Sequence, residues 1–132
     1  MIDIYVDGSP GTKDSFGLVA MVNRSVIIVN RVNRATNNML EYKAVWHALQ
    51  RAPRDKECTI YSDSELIVNH LNEEYKCKKQ DLITAKERIV QYIKQNDLDV
   101  KFVWIARDKN PAGKILSKNL RTLLKMAQRE DS

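Results

Sequence analysis

Asp7, Glu41 and Asp63 are the residues of this chain whose types and settings could do chemistry. Two of them end the same phrase: Ile4-Tyr5-Val6-Asp7-Gly8 and Ile60-Tyr61-Ser62-Asp63-Ser64 share the order Ile, Tyr, any residue, Asp, small residue. Ile2, Ile4 and Val6 alternate with Asp3, Tyr5 and Asp7, the period of a β-strand, so Asp7 stands where a strand ends and the chain turns. Asp7-Gly8 alone also reads as a plain turn signal. Glu41 falls in helical register with Ala44, Val45, Ala48 and Ala52, the stripe that should face a sheet. A core-facing acid is costly unless something positive meets it. The other reading of Glu41 is a first-turn glutamate favoured by the helix dipole, with its head in water. If the three carboxylates converge, their mutual repulsion calls for cations, and oxygen-only ligands suit magnesium or manganese. Two such ions, roughly 4 Å apart, would clamp a phosphate and activate a water for in-line attack. That is phosphodiester chemistry.

The elements that must position these groups follow from periodicity. After the first strand, apolar runs at 16–22 and 26–29 separated by a few turn residues predict a hairpin. Residues 30–36 read as a polar connection, and Asn37 and Asn38 as N-cap candidates for a helix over 39–52. A strand at 58–64, a short helix at 64–71, an amphipathic helix at 81–95 and a strand at 99–106 come next. Pro111 opens a last helix that buries Ala112, Leu116, Leu120, Leu123 and Ala127. The expected fold is α/β: a five-stranded mixed sheet, three strands antiparallel and two parallel, flanked by helices in a single domain over 1–132. A right-handed crossover through the first helix would make strands 2–7 and 58–64 parallel neighbours, bringing Asp7 and Asp63 to one sheet edge.

Composition narrows the class. With 132 residues, 43% hydrophobic and 30% charged, the chain can bury a core and is neither a disordered tail nor a membrane protein. No leader pattern follows Met1, so a cytoplasmic, monomeric protein with no membrane partner is expected. Cys58 and Cys77 form no ligand pair and read as reduced thiols. A net charge of +5 permits an anionic partner. Lys114, Lys118, Arg121 and Lys125 form a helical stripe, read as a solvated face or as a track for a duplex backbone. Trp46 and Trp104 are expected in the core, and His47 and His70 at the surface or in packing.

Taken with Thr36-Asn37-Asn38, Glu41-Tyr42, Ala44 and Tyr75-Lys76, the two Asp motifs resemble type 1 ribonuclease H in its compact archaeal and plant reverse-transcriptase-like form. The resemblance covers nearly the whole chain. It implies a divalent-metal-dependent endonuclease that cuts the RNA strand of RNA/DNA hybrids to 5′-phosphate and 3′-hydroxyl ends. It further implies that Asp7, Glu41 and Asp63 are catalytic metal ligands for Mg2+ or Mn2+, two ions with substrate bound, and that no organic cofactor is needed. Thr36, Asn37 and Asn38 would contact the hybrid, joined by Gly8, Ser9, Ser64 and Lys114.

The chain departs from the family pattern at one wall of the site. Where the family has a fourth carboxylate, the register through Trp104, Asn110 and Leu116 places Lys114, and residues 107–114 hold no histidine. An ammonium about 4 Å from a divalent ion is repelled by roughly 8 kcal/mol at an effective dielectric of about 20. Lys114 must therefore swing outward, bind substrate phosphate or stand in for a metal charge, with Asp108 as a possible substitute ligand. Weakened turnover is one consequence. The alternative function is a catalytically weak or inactive hybrid- or duplex-binding module.

Overall fold

The structure, a computed structural model, describes residues 2–10, 16–24, 26–118 and 128–129. Strands β1 (Ile2–Ser9), β2 (Phe16–Asn23) and β3 (Val26–Asn33) form an antiparallel meander. The chain then crosses through helix α1 (Asn37–Leu49) to β4 (Glu57–Ser62), which lies parallel to β1. Helices α2 (Glu65–Leu71) and α3 (Gln80–Gln95) lead to β5 (Asp99–Trp104), parallel to β4. A 3-10 turn, Arg107–Lys109, precedes α4 (Pro111–Lys118), and a two-residue strand β6 (Gln128–Arg129) pairs parallel with β3. The sheet order is β5-β4-β1-β2-β3-β6, so the expected five-stranded mixed sheet is present with β6 added at its edge.

One face of the sheet is apolar and covered by α1, against which α3 packs: Ile4, Val6, Val19, Met21 and Ile60 share one core with Leu40, Val45, Leu49, Leu82 and Ile89. The alternate residues Leu18, Ala20 and Val22 point the other way and meet Ala112 and Leu116 of α4. Leu120, Arg121, Leu123, Lys125 and Ala127, assigned above to the last helix, lie outside the described residues.

Four local expectations need correction. The polar segment 30–36 is largely strand, because β3 runs on to Asn33. Asn30 is buried there; its Nδ2 bonds His47 Nδ1 at 2.7 Å, while its Oδ1 is buried with no hydrogen-bond partner. The N-cap of α1 is Thr36 rather than Asn37 or Asn38; its hydroxyl accepts from the Met39 amide at 3.3 Å. Trp104 is 50% exposed instead of core, since it ends the edge strand β5. Finally, Glu41 is the fifth residue of α1 and not in its first turn. His47 and His70 are packing residues, His70 joined through Nδ1 to the Tyr42 hydroxyl.

The approach of α1 to β1 depends on Gly8. A Cβ there would lie 2.6 Å from both the carbonyl carbon and oxygen of Leu40 and 3.0 Å from the Glu41 nitrogen. Those are backbone atoms, so no side-chain rotation relieves the clash. Gly8→Ala is therefore expected to destabilise by about 1–3 kcal/mol, read as a lower urea midpoint with an unchanged slope. An unmoved midpoint would mean that α1 yields freely at this point.

Candidate metal and nucleic-acid site

The β1–β4 register ends on Tyr5 opposite Tyr61, whose rings stack at 4.7 Å between centroids. Two residues further on come Asp7, still inside β1, which runs on to Ser9 instead of ending at the aspartate, and Asp63, the first residue past β4. The side-chain period thus carries both aspartates to one end of the sheet at one level. Gly8 lets the backbone at Leu40 and Glu41 close against β1, which brings in the third acid. One carboxylate oxygen from each of Asp7, Glu41 and Asp63 lies within 4.8 Å of the others. The echo of the two Ile-Tyr-x-Asp phrases and the misfit of Glu41 are explained by this one convergence.

Asn110 sets the orientation of Asp63. It is fully buried, and its Nδ2 donates to Asp63 Oδ2 at 3.1 Å and to the Val6 carbonyl at 3.0 Å. Its Oδ1 accepts from the Ala112 amide at 3.1 Å, which starts α4. One amide therefore ties β1, β4 and α4 together at the site. The Trp104 indole donates to the Asp63 carbonyl at 3.2 Å, and the Ile105 amide to the Ser62 carbonyl at 2.9 Å, so the end of β5 holds the same turn. The half-exposed Trp104 has a positioning role that its composition did not suggest.

The electrostatics are those of crowded acids. Burial, then the charge of Asp63, pushes the Asp7 carboxyl up to about 6, against hydrogen bonds from Glu41 and the Gly8 amide and the charge of Arg107. Glu41 is raised well above its ordinary value, first by burial and then by Asp7. Glu41 Oε2 is buried with no hydrogen-bond partner. A buried acceptor of that kind, facing two further carboxylates, fits a hard divalent cation held by oxygen ligands.

The acids lie in a cleft of about 540 Å³ whose walls include Gly8, Ser9, Asn37, Arg107, Asp108 and Lys114. Of the residues expected to touch nucleic acid, Gly8, Ser9, Asn37 and Lys114 border this cleft. Thr36 and Ser64 instead cap α1 and α2, and Asn38 is not among the cleft residues. Sequence reasoning missed Arg107 and Asn110 as site residues. Arg107 carried no signal beyond its place in the loop before Pro111, whereas Asn110 could have been suspected as an N-cap before that proline.

These shifts have a definite sign. A carboxyl raised from 3.8 to about 6 keeps a proton in the folded protein that the unfolded chain has released. Its contribution to stability is therefore lost as pH rises through that window, and above about 6 the ionised group destabilises the metal-free fold. Asp7→Asn is expected to stabilise the chelated protein by about 1–3 kcal/mol near neutral pH. The difference from wild type should shrink toward about pH 4, as urea titrations in chelator would measure. A difference independent of pH would show that the crowding is not felt.

Residues 1–111 match the RNase H family. Among solved structures, the chain resembles LC11-RNase H1, isolated from compost by a metagenomic approach, at 26% identity and a TM-score of 0.77, over 93% of this chain and 97% of that one. The same LC11 enzyme solved in complex with an RNA/DNA hybrid gives 24% identity and a TM-score of 0.78, covering 94% of this chain and 99% of that one. RNase H1 from the halophilic archaeon Halobacterium salinarum shares the fold at 22% identity and a TM-score of 0.76, over 96% and 98% of the two chains. With its sheet order, its converged acids and a family match over most of its length, the chain belongs to the RNase H family.

Proposed function

We propose that this chain hydrolyses the RNA strand of RNA/DNA hybrids, leaving 5′-phosphate and 3′-hydroxyl ends, and works as a cytoplasmic monomer. The observation that carries this reading is the convergence of Asp7, Glu41 and Asp63 around the unpartnered Glu41 Oε2 in a cleft bordered by Asn37, Arg107 and Lys114. All three acids come from one chain, which supports action as a monomer. The LC11 enzyme, which shares this fold, was solved with a hybrid bound, and that supports the same partner here.

In this reading Asp7, Glu41 and Asp63 hold magnesium or manganese, which when bound supplies Lewis-acid charge and lowers the pKa of a coordinated water. The resemblance implies two ions with substrate bound. Asp7 meets both other acids, Asp63 by charge and Glu41 by hydrogen bond, and would hold the ion together with them. Asn110 holds Asp63 in place by engaging Oδ2. Ser9 and Asn37 lie along the cleft and contact the sugar-phosphate backbone, with Gly8 keeping the floor low enough for it to enter. Thr36 and Ser64 act through the helix starts they cap, and Asn38 extends the contact surface at the start of α1. The converged acids favour catalysis over a binding module.

A labelled hybrid duplex tests this. Wild type should cut only the RNA strand in magnesium or manganese and stop in chelator. Asp7→Asn should lose roughly a thousandfold in rate, about 4 kcal/mol of transition-state stabilisation, while still binding the hybrid. Binding without cleavage in either metal would make the chain a binding module, and unimpaired cleavage by Asp7→Asn would remove the acids from the reaction.

A further inference from the structure

The charges facing the cleft do not match a pair of divalent ions. Asp7, Glu41, Asp63 and Asp108 line it together with Arg107 and Lys114. Fully ionised, these groups leave two negative charges in excess, which one divalent ion neutralises. A second ion would have to be brought in by substrate against cations already in place.

The ligands point the same way. Asp63 Oδ2 is engaged by Asn110, itself locked to Val6 and Ala112, so it is not free to swing toward another ion. The first turn of α4 closes the side of the site next to the two aspartates. A Cβ at Gly113 would stand 3.4 Å from Asp7 Oδ2 and 3.5 Å from Asp63 Oδ2, so no larger side chain intervenes there. The next residue on that rim is Lys114, exposed and lining the cleft. Where α4 could supply an oxygen ligand for a second ion, it supplies an ammonium on a long flexible stem. Arg107, on the turn before α4, lines the same cleft beside Asp7 and Lys114.

We propose that Lys114, with Arg107 beside it, takes the place of a second metal ion, so that the cleft loads a single divalent cation and presents a tethered ammonium to the scissile phosphate from the α4 side. The proposal rests on the nuclease reading above. In the reaction, the water oxygen bonds to phosphorus as the bond from phosphorus to the 3′-oxygen breaks. The proton of the water leaves to solvent, and the 3′-oxygen gains one from solvent. Lys114 remains protonated throughout and acts by charge on the phosphate oxygens. Its ammonium needs no ion-binding equilibrium, because the chain carries it.

Counting bound Mn2+ on the full chain by electron paramagnetic resonance tests this apart from turnover. The count is made alone and with a hybrid whose RNA strand is 2′-O-methylated so that it is not cut. Wild type should hold one ion per chain in both states, and Lys114→Asp should gain a second with the hybrid. On a cleavable hybrid, Lys114→Gln should lose at least tenfold in kcat with its Mn2+ count unchanged, and Lys114→Arg should stay within about threefold of wild type. Two ions on the wild type with hybrid would overturn the proposal and leave the nuclease reading standing. No Mn2+ on the wild type would instead remove that reading itself. Full activity of Lys114→Gln would also overturn the proposal, and this variant adds no acid to the cluster that could disturb folding.

Discussion

Crowding of like charges is the constraint on which the rest of this structure depends. Burial raises the affinity of Asp7 and Glu41 for protons, and the like charges held close beside them raise it further. A fold tolerates that only if the repulsion is outweighed elsewhere and serves a ligand. Here it is outweighed by an apolar layer between the sheet and α1 and by the α4 contact on the opposite face.

The acids meet because three backbone features agree. A parallel β1–β4 pair sets the two aspartates at one level, a glycine at the end of β1 admits α1, and the amide of Asn110 braces β1, β4 and α4 from behind. Each is inexpensive alone. Together they preorganise charged groups that would otherwise spread into solvent, which is what an electrostatic site requires before its ligand arrives.

The α4 side gives the cleft its individual character. The family match covers the sheet and the acid cluster, and the cations Arg107 and Lys114 stand beside them on the turn before α4 and on its first turn. Their presence in the same cleft makes the site mixed in sign, and a mixed site handles a phosphate differently from a purely acidic one. The phosphate can meet positive charge on the protein itself as well as on a bound ion.

Much of this was legible from residue order. Alternation at 2–7 and the Ile-Tyr-x-Asp echo at 60–63 determined the strands and the matching aspartates, because a period of two leaves no choice of face. Glu41 among alanines showed that something had to receive an acid. Other features had no local signal. The extension of β3 through Asn30 to Asn33 is pairing with β2, and the buried Asn30 amide meets His47 far along the chain, where a one-dimensional reading sees only polar residues. The exposure of Trp104 follows from β5 being an edge, which no single strand reveals about itself. Arg107 and Asn110 enter the site only when the turn before α4 folds back onto β1. The sequence by itself determined which groups could do chemistry and on which faces they lie, since periodicity is a local property. Only the tertiary structure decided which cations share their cleft, because electrostatic neighbours are chosen by long-range packing.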